Sequence, residues 1–379
     1  MFRGGNRRIN FVRAALCRTL VVILLAAPAA AATRAFASGP VNEIPPALLD
    51  SIDSDIARVM KTYGIVGLSV SVVIDQDMVW EKGYGYSDVS AQKPARPGTL
   101  YRIASITKLF TAFSIMMIQQ KGLLDIDQPV NRYLPEFVVQ SKDGWFEKLT
   151  IRHILTHTSG LPSNRSGALY SNLLAALKRT ALVFEPGTGY LYSNIGFDVL
   201  GKLIEHVEDT DYTAYERQTI LDPLEMNSSY FWIDDERIPV AVGYDQWNGH
   251  IQPVMHTGYQ ANIPSAALCS TVEDLGNLLR FIFNGGVFND NQLLDTRCLT
   301  EMLRHYGHSR GLGFTVFDPG TGVNGTELVG HVGASPGYTS ILLAAPEEKT
   351  GVVILTNTGN LINQLVSLGT GIMKKLTGS

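Results

Sequence analysis

Cysteine is scarce. The 379 residues hold only Cys17, Cys269 and Cys298, too few for a disulfide framework. Cys17 precedes the apolar run near the N-terminus, so it is not a lipoprotein cysteine at the end of one. Cys269 and Cys298 remain, free to pair in an oxidising compartment or to stay as two thiols. Long apolar runs are also scarce. The run TLVVILLAAPAAAA is broken by Pro28 and is short of the roughly 20 apolar residues a spanning helix needs. Acid is absent from residues 1–37, which carry six arginines instead. An arginine-rich start, the apolar run and Ala35-Phe36-Ala37 follow the order of a secretory signal peptide, with an uncleaved N-terminal anchor as the alternative. The expectation is a secreted or periplasmic protein. Six of the 31 basic residues lie in that segment, so the rest carries 25 basic against 35 acidic residues, net −10. That excludes a basic groove for nucleic acid. No low-complexity tract and no internal repeat divides the chain.

What is present is periodic. Leu49, Ile52, Ile56, Val59 and Met60 recur at helical spacing. Val66, Leu68, Val70, Val72 and Ile74 alternate as a strand, and Asp75-Gln76-Asp77 turns into MVWEKGYGYSDV as its partner. At the far end GLGFTVF, ELVGHV, GYTSILLAA and GVVILTN read as four strands. Leu361, Leu365, Leu368, Ile372 and Leu376 mark a terminal helix. Short connections imply antiparallel neighbours. The middle is richer in helical patterns: FSIMMIQQ, SNLLAALKRT, FDVLGKLIEHV and TVEDLGNLLRFIF. The expected class is α/β. One antiparallel sheet, from about 44–112 and 301–379, is flanked by helices, and a mostly α-helical part, about 113–300, is inserted. All of it forms one domain over 38–379.

Within RIASITKLFTA, Ser105 and Lys108 stand three apart, on one face of a helix. If the helix starts near Ser105, the hydroxyl lies at its positive end, where backbone N–H groups lack partners. A lysine among Ile106, Leu109 and Phe110 is costly unless paired or shifted towards neutrality. A neutral amine could take the serine proton, and a charged one could stabilise a phenolate that does so. Taken alone, the pattern equally fits a capping serine and a snorkelling lysine. Ser90-Ala91-Gln92-Lys93 repeats it, but Pro94 follows and no apolar helix does, so that copy reads as loop.

PGTGYLYSNIGF presents Tyr192-Ser193-Asn194 after a Pro186-Gly187 turn. Tyrosine is a poor base at its usual pKa of about 10. A nearby Lys108 ammonium is expected to lower it, and Asn194 could donate to a substrate carbonyl. Tyr170-Ser171-Asn172 repeats the triplet but runs into an ordinary amphipathic helix. Gly330-His331-Val332-Gly333-Ala334 reads as a strand edge whose glycines would let a substrate backbone approach. Lys349-Thr350-Gly351 lies at a turn between strands, so its lysine should face water.

Two rival patterns fail. Gly333-Ala334-Ser335-Pro336-Gly337 matches G-x-S-x-G, but that elbow needs a helix after it and an acid, then a histidine, downstream. Here a strand pattern follows, no Asp occurs after Asp318 and His331 is the last histidine. His153 and His157 have the spacing of a zinc helix but lack the glutamate of H-E-x-x-H. They read as a packed, hydrogen-bonded pair.

With Ser105-x-x-Lys108, Tyr192-Ser193-Asn194 and His331-x-Gly333 in this order, the chain resembles the serine beta-lactamase and penicillin-binding-protein superfamily, in its class C-like branch. That branch includes D-alanyl-D-alanine carboxypeptidases, D-aminopeptidases and beta-lactamase-like esterases. The similarity covers nearly all of the chain after residue 37, including IRHILTHTSGLP, FEPGTGYLYSNIGF, CSTVEDL and HVGASPGYTSILLAAPEEKTGVVILTN. The resemblance implies Ser105 as acyl-accepting nucleophile, and Lys108 and Tyr192 as one coupled proton-transfer pair. It implies Asn194, His331 and Gly333 as substrate-binding residues, and the N–H groups of Ser105 and Ala334 as an oxyanion hole. No metal or organic cofactor is implied. The implied partners are small-molecule or peptide substrates: a D-amino-acid peptide, an ester or a beta-lactam. Strong class C beta-lactamases carry lysine where this chain has His331. A mostly neutral histidine is a weaker partner for a substrate carboxylate, which points towards the peptidase members. A non-catalytic sensor or binding protein is the reading of another class, and the intact Ser105, Lys108 and Tyr192 argue against it.

Overall fold

The computed structural model describes residues 44–163, 169–231, 239–254, 261–317 and 322–378. The expected signal segment 1–37 and its cleavage site lie outside them. Among the described residues no helix is long and apolar enough to cross a membrane.

The two chain ends build one sheet. Helix α1, Pro46–Tyr63, starts on a proline, which suits a first turn, and ends at Gly64, whose φ of 65° takes the left-handed turn at its C-terminus. Strand β1, Gly67–Ile74, then pairs with β2, Asp77–Asp88, and β2 with the short β3, Lys93–Pro94. From the far end come β4, Thr315–Val316, β5, Val329–Ser335, β6, Tyr338–Ala345, and β7, Thr350–Thr356. The seven strands run in the order β4-β5-β6-β7-β1-β2-β3. All neighbours are antiparallel. First and last strands thus meet at the centre, with Leu68 opposite Thr356 and Ile74 opposite Thr350.

Side-chain alternation divides the core in two. On β6, Ile341, Leu343 and Ala345 join α1 and the terminal helix Ile362–Thr377 on one face. Leu342 and Ala344 face the larger helical cluster on the other. All eight residues of β6 are buried, which is why GYTSILLAA reads as one apolar run rather than an alternation. The helical side holds α2, Thr107–Gln120, α3, Asn194–Glu208, and α4, Val272–Phe283. Every residue of α2 from Thr107 to Ile118 is buried. A helix buried all round is a central one, and here it places Lys108 in the interior.

The α/β class and the sheet from both ends are as expected. The middle differs in detail. Tyr101–Arg102, Leu268–Ser270 and Tyr230–Phe231 form a small antiparallel sheet, and Tyr244–Trp247 pairs with His250–Pro253. Strands of two to four residues carry too few alternations to show a period. SNLLAALKRT keeps helix only over Leu173–Leu177. Beyond it the chain bonds to another segment instead, with the Gln140 N–H on the Thr180 carbonyl at 2.8 Å.

Candidate active site

Ser105 sits in a single 3₁₀ turn, Ala104–Ile106, that leads directly into α2. Ala104 is buried and has φ of +46°. A left-handed alanine is uncommon, and the surroundings hold it. Thr107 Oγ1 donates to the Ala104 carbonyl at 2.6 Å and accepts from the Leu268 N–H at 3.2 Å. Ser340 Oγ on β6 donates to the Ile103 carbonyl at 2.8 Å. The small sheet and the large one therefore fix the turn from two sides.

Lys108 is fully buried. Its Nζ lies 2.7 Å from Asn194 Oδ1, 2.8 Å from the Ser265 carbonyl and 3.2 Å from Ser105 Oγ. The two shorter contacts are to oxygens that only accept, and the third is to a hydroxyl that can also donate. A neutral amine has two N–H groups and one lone pair. It can give both hydrogens to Asn194 and Ser265 and turn its lone pair to the Ser105 hydroxyl. Burial, the largest influence, pushes the lysine well below its ordinary range; Asp198 opposes this and Arg310 adds to it.

Tyr192 completes the group. Its ring centroid is 4.8 Å from Lys108 Nζ, and its phenol hydrogen-bonds Ser105. Its titration corrects the sequence expectation of a lowered pKa. Burial dominates and pushes the phenol up to about 12, against smaller opposing effects of Ser105 and Arg310. Near neutral pH this favours the phenol form of Tyr192, which can donate to its neighbours.

The loop that carries Tyr192 is set by His157, which the spacing argument paired with His153. The two histidines do separate work. His153 Nδ1 contacts the Thr150 N–H and hydroxyl, at 3.2 and 3.0 Å, at the start of its own helix. His157 is buried, accepts the Ser193 N–H on Nδ1 at 3.1 Å, and packs against the Tyr192 ring, tilted by 35° with centroids 4.4 Å apart. Ser193 then caps α3 through Gly196 N–H at 3.0 Å, so Asn194 enters the site as the first residue of that helix.

His331 and Gly333 lie on β5. His331 is buried, and its ring centroid is 6.3 Å from that of Tyr192. Nδ1 is 2.6 Å from the Val332 carbonyl, which places its hydrogen there. Burial holds the ring well below its usual pKa, and Lys108 and Arg310 reinforce this, so His331 is neutral. A Cβ on Gly333 would meet the Ile103 carbonyl oxygen at 2.1 Å and Ser340 Oγ at 2.3 Å. On its Cβ side, the backbone that approaches this glycine is the turn before Ser105. Ala334 follows on the same strand, opposite Thr339.

The duplicate motifs fall elsewhere. Ser90 is exposed and bonded to Asp88, at 2.7 Å, between β2 and β3. Tyr170 lies under Lys202, whose Nζ is 3.8 Å from its ring centroid. Lys349 is exposed and paired with Asp75 at 2.8 Å. Ser335 ends β5, and Pro336-Gly337 turns into β6, with Gly337 at φ +75° as a type II turn requires. No helix follows it, so the elbow geometry is absent. Cys269 and Cys298 are free thiols.

Two charged residues escaped the sequence reading. Asp198, one turn after Asn194 on α3, is buried. Arg310 donates to the Tyr190 hydroxyl at 2.6 and 3.0 Å and to Thr315 at 2.5 Å, and its charge is felt at Lys108, Tyr192, His157 and His331.

Comparison with known proteins agrees with the fold. The profile of the Beta-lactamase family matches residues 52–370. Protein flp of Staphylococcus aureus (strain N315) is 29% identical over 325 residues, which cover 81% of this chain and 62% of that protein. Beta-lactamase-like protein 2 of Dictyostelium discoideum is 30% identical over 268 residues, 66% of this chain and 48% of that one. The chain thus spans less than two thirds of the length of these relatives. The structure of the octameric penicillin-binding protein homologue from Pyrococcus abyssi matches with a TM-score of 0.73 at 28% identity, covering 84% of this chain and 76% of that one. The chain therefore belongs to the Beta-lactamase family, and its fold is that of the beta-lactamase and penicillin-binding-protein superfamily.

Proposed function

We propose that the protein is a serine hydrolase working by acyl transfer through an acyl-Ser105 intermediate. Its substrates are D-amino-acid peptides, cleaved in the manner of a carboxypeptidase, and penicillins are acylating pseudo-substrates. One observation carries this reading: Lys108 Nζ, sealed from water, touches two acceptor-only oxygens and the Ser105 hydroxyl. Lys108 takes the Ser105 proton as Oγ attacks, and returns it to the leaving group. Tyr192, a phenol donor to this centre, relays rather than removes protons. The N–H groups of Ser105 and Ala334 bind the oxyanion, and Asn194, His331 and Gly333 line the substrate side. Water then releases the acyl group by the same route.

A second reading, a beta-lactamase-like esterase, is favoured by His331. Buried and neutral, it offers no cation to a substrate carboxylate, so uncharged acyl donors lose nothing there. Slow beta-lactam turnover belongs to the same chemistry. We also propose export from the cytoplasm with residues 1–37 removed, which N-terminal sequencing of the mature protein tests.

The deciding experiment incubates the protein with benzylpenicillin and follows its intact mass, alongside D-amino-acid peptides and short-chain esters. The expected result is an adduct that maps to Ser105 and is lost in Ser105→Ala. Full turnover of every active substrate by Ser105→Ala would overturn the proposal.

A further inference from the structure

Asp198 is a carboxylate with almost no access to water, at 1% exposure. It follows Asn194 by four residues on α3, so both side chains leave the same helix face. Ser265 lies between it and the lysine. The Ser265 carbonyl accepts from Lys108 Nζ at 2.8 Å, while its N–H and hydroxyl donate to Asp198. Asn262, with its amide nitrogen turned to Asp198 Oδ2 at 3.2 Å, adds one donor. Oδ1 is buried without a partner. A carboxylate so placed is expensive to keep charged. The groups around the pair are Lys108 from α2, Asn194 from α3, Ser265 and Asn262 from the segment before the small sheet, Tyr170, and on the substrate side Tyr192, His157, His331 and Arg310.

We propose that Asp198 is a positioning residue for the acyl transfer, supplying the counter-charge for the ammonium that Lys108 becomes while it holds the Ser105 proton. The inference rests on the acyl-Ser105 reading. In the first step the Ser105 O–H bond breaks and an Nζ–H bond forms. Oγ bonds the acyl carbon, and the carbonyl electron pair moves to its oxygen. On collapse the bond to the leaving group breaks, and the proton on Nζ passes to that group. Between these events a full ammonium exists where no water reaches it. Asn194 and Ser265 orient it through neutral oxygens, and Asp198 is the acid whose charge opposes its desolvation. The peptide of Ser265 couples the two, since it accepts from one partner and donates to the other.

The test is the pH profile of p-nitrophenyl acetate turnover by wild type, Asp198→Asn, Ser265→Ala and Ser105→Ala. A negative Asp198 favours the ammonium, so its removal should move the acidic limb to lower pH, by about one unit. kcat should fall on the order of tenfold or more, with KM little changed. Ser265→Ala removes a donor to Asp198 but keeps the carbonyl that holds Lys108. It makes Asp198 harder to ionise, and the limb should move the same way by less. If Asp198→Asn does not fold, the Ser265→Ala limb decides alone. A limb that stays at its wild-type position in the folded variants would overturn the inference, since a purely structural carboxylate alters stability but not that position. Wild-type turnover in Ser105→Ala would instead remove the acyl-Ser105 reading, whereas an inactive Ser105→Ala beside an unmoved Asp198→Asn limb removes only the role of Asp198.

Discussion

Lys108 Nζ is closer to Asn194 Oδ1, at 2.7 Å, than to Ser105 Oγ, at 3.2 Å. The amine is held by the neighbour that orients it, more tightly than by the hydroxyl it would deprotonate. Charge at Asn194 should therefore control the amine directly. Burial holds Lys108 below its ordinary range, so activity should rise with pH as the amine loses its proton. Asn194→Asp puts an anion against it and favours the ammonium. The acidic limb should move to higher pH, by about one to three units. Asn194→Ala leaves one N–H free to turn towards Ser105, and kcat should fall on the order of tenfold to a hundredfold. Profiles of ester hydrolysis check both, and an Asn194→Asp limb at the wild-type position would contradict the assignment of Lys108 as base.

Gly333 makes a stricter claim on geometry. An alanine there would put its Cβ 2.1 Å from the Ile103 carbonyl oxygen, and that atom is backbone, so no side chain can swing aside. Either β5 or the 3₁₀ turn must move, and the turn carries Ser105. Gly333→Ala should cost about 1–3 kcal/mol or more of stability and lower acylation by penicillin far more than its stability loss explains. Thermal melting and intact-mass acylation on the same preparation separate the two effects. Wild-type acylation would show that the contact does not position Ser105.

The parts of this site that could be read from sequence are those set by local spacing. Ser105 and Lys108 are three apart, Tyr192 and Asn194 two apart, and His331 and Gly333 two apart on a strand. Strands β1 and β7 were legible because each is long enough to show its pattern. Asp198 was not, because one acid in FDVLGKLIEHV resembles the wet face of an amphipathic helix. Its burial comes from Ser265, which a distant segment folds over it. His157 was visible but misassigned, since its partner is the Ser193 N–H rather than His153. The direction of the Tyr192 shift was missed for a related reason. Proximity to Lys108 is local and was anticipated, whereas burial is a tertiary property and outweighs it.

The duplicated motifs give a sharp negative control. Ser90 and Lys349 are exposed, and each already has an acidic partner, Asp88 and Asp75. Ser335 is followed by a turn and a strand. Ser90→Ala, Ser335→Ala and Lys349→Ala should each keep turnover within about twofold of wild type, and at the exposed Ser90 and Lys349 the change should shift stability by about 0.5 kcal/mol or less. Turnover lost in Ser335→Ala but kept in Ser105→Ala would move the site to the elbow that the fold argues against.

Glu216, at the end of the helix Tyr212–Glu216, tests the electrostatics of a buried acid packed on α2 away from the site. It is fully buried, accepts from Ser114 on α2 at 2.8 Å, and lies beside Tyr212. Burial, opposed by those two hydrogen bonds, pushes its carboxyl up to about 8. The unfolded chain has it near 4.3, so the native state binds the extra proton. Its contribution is then whole below about pH 4 and is lost as pH rises towards about 8. Between about pH 5 and about pH 8 the loss should be on the order of a few kcal/mol. Glu216→Gln mimics the protonated acid at every pH, with its amide oxygen able to accept from Ser114. The variant should therefore melt higher than wild type at about pH 8 and match it near pH 5, as thermal scans across that range would record. Parallel melting curves for the two proteins would mean that Glu216 does not stay protonated in the fold. A converging pair would locate at Glu216 an alkaline loss of stability independent of the Lys108 chemistry, which lies on α2 two turns before the Ser114 that Glu216 contacts.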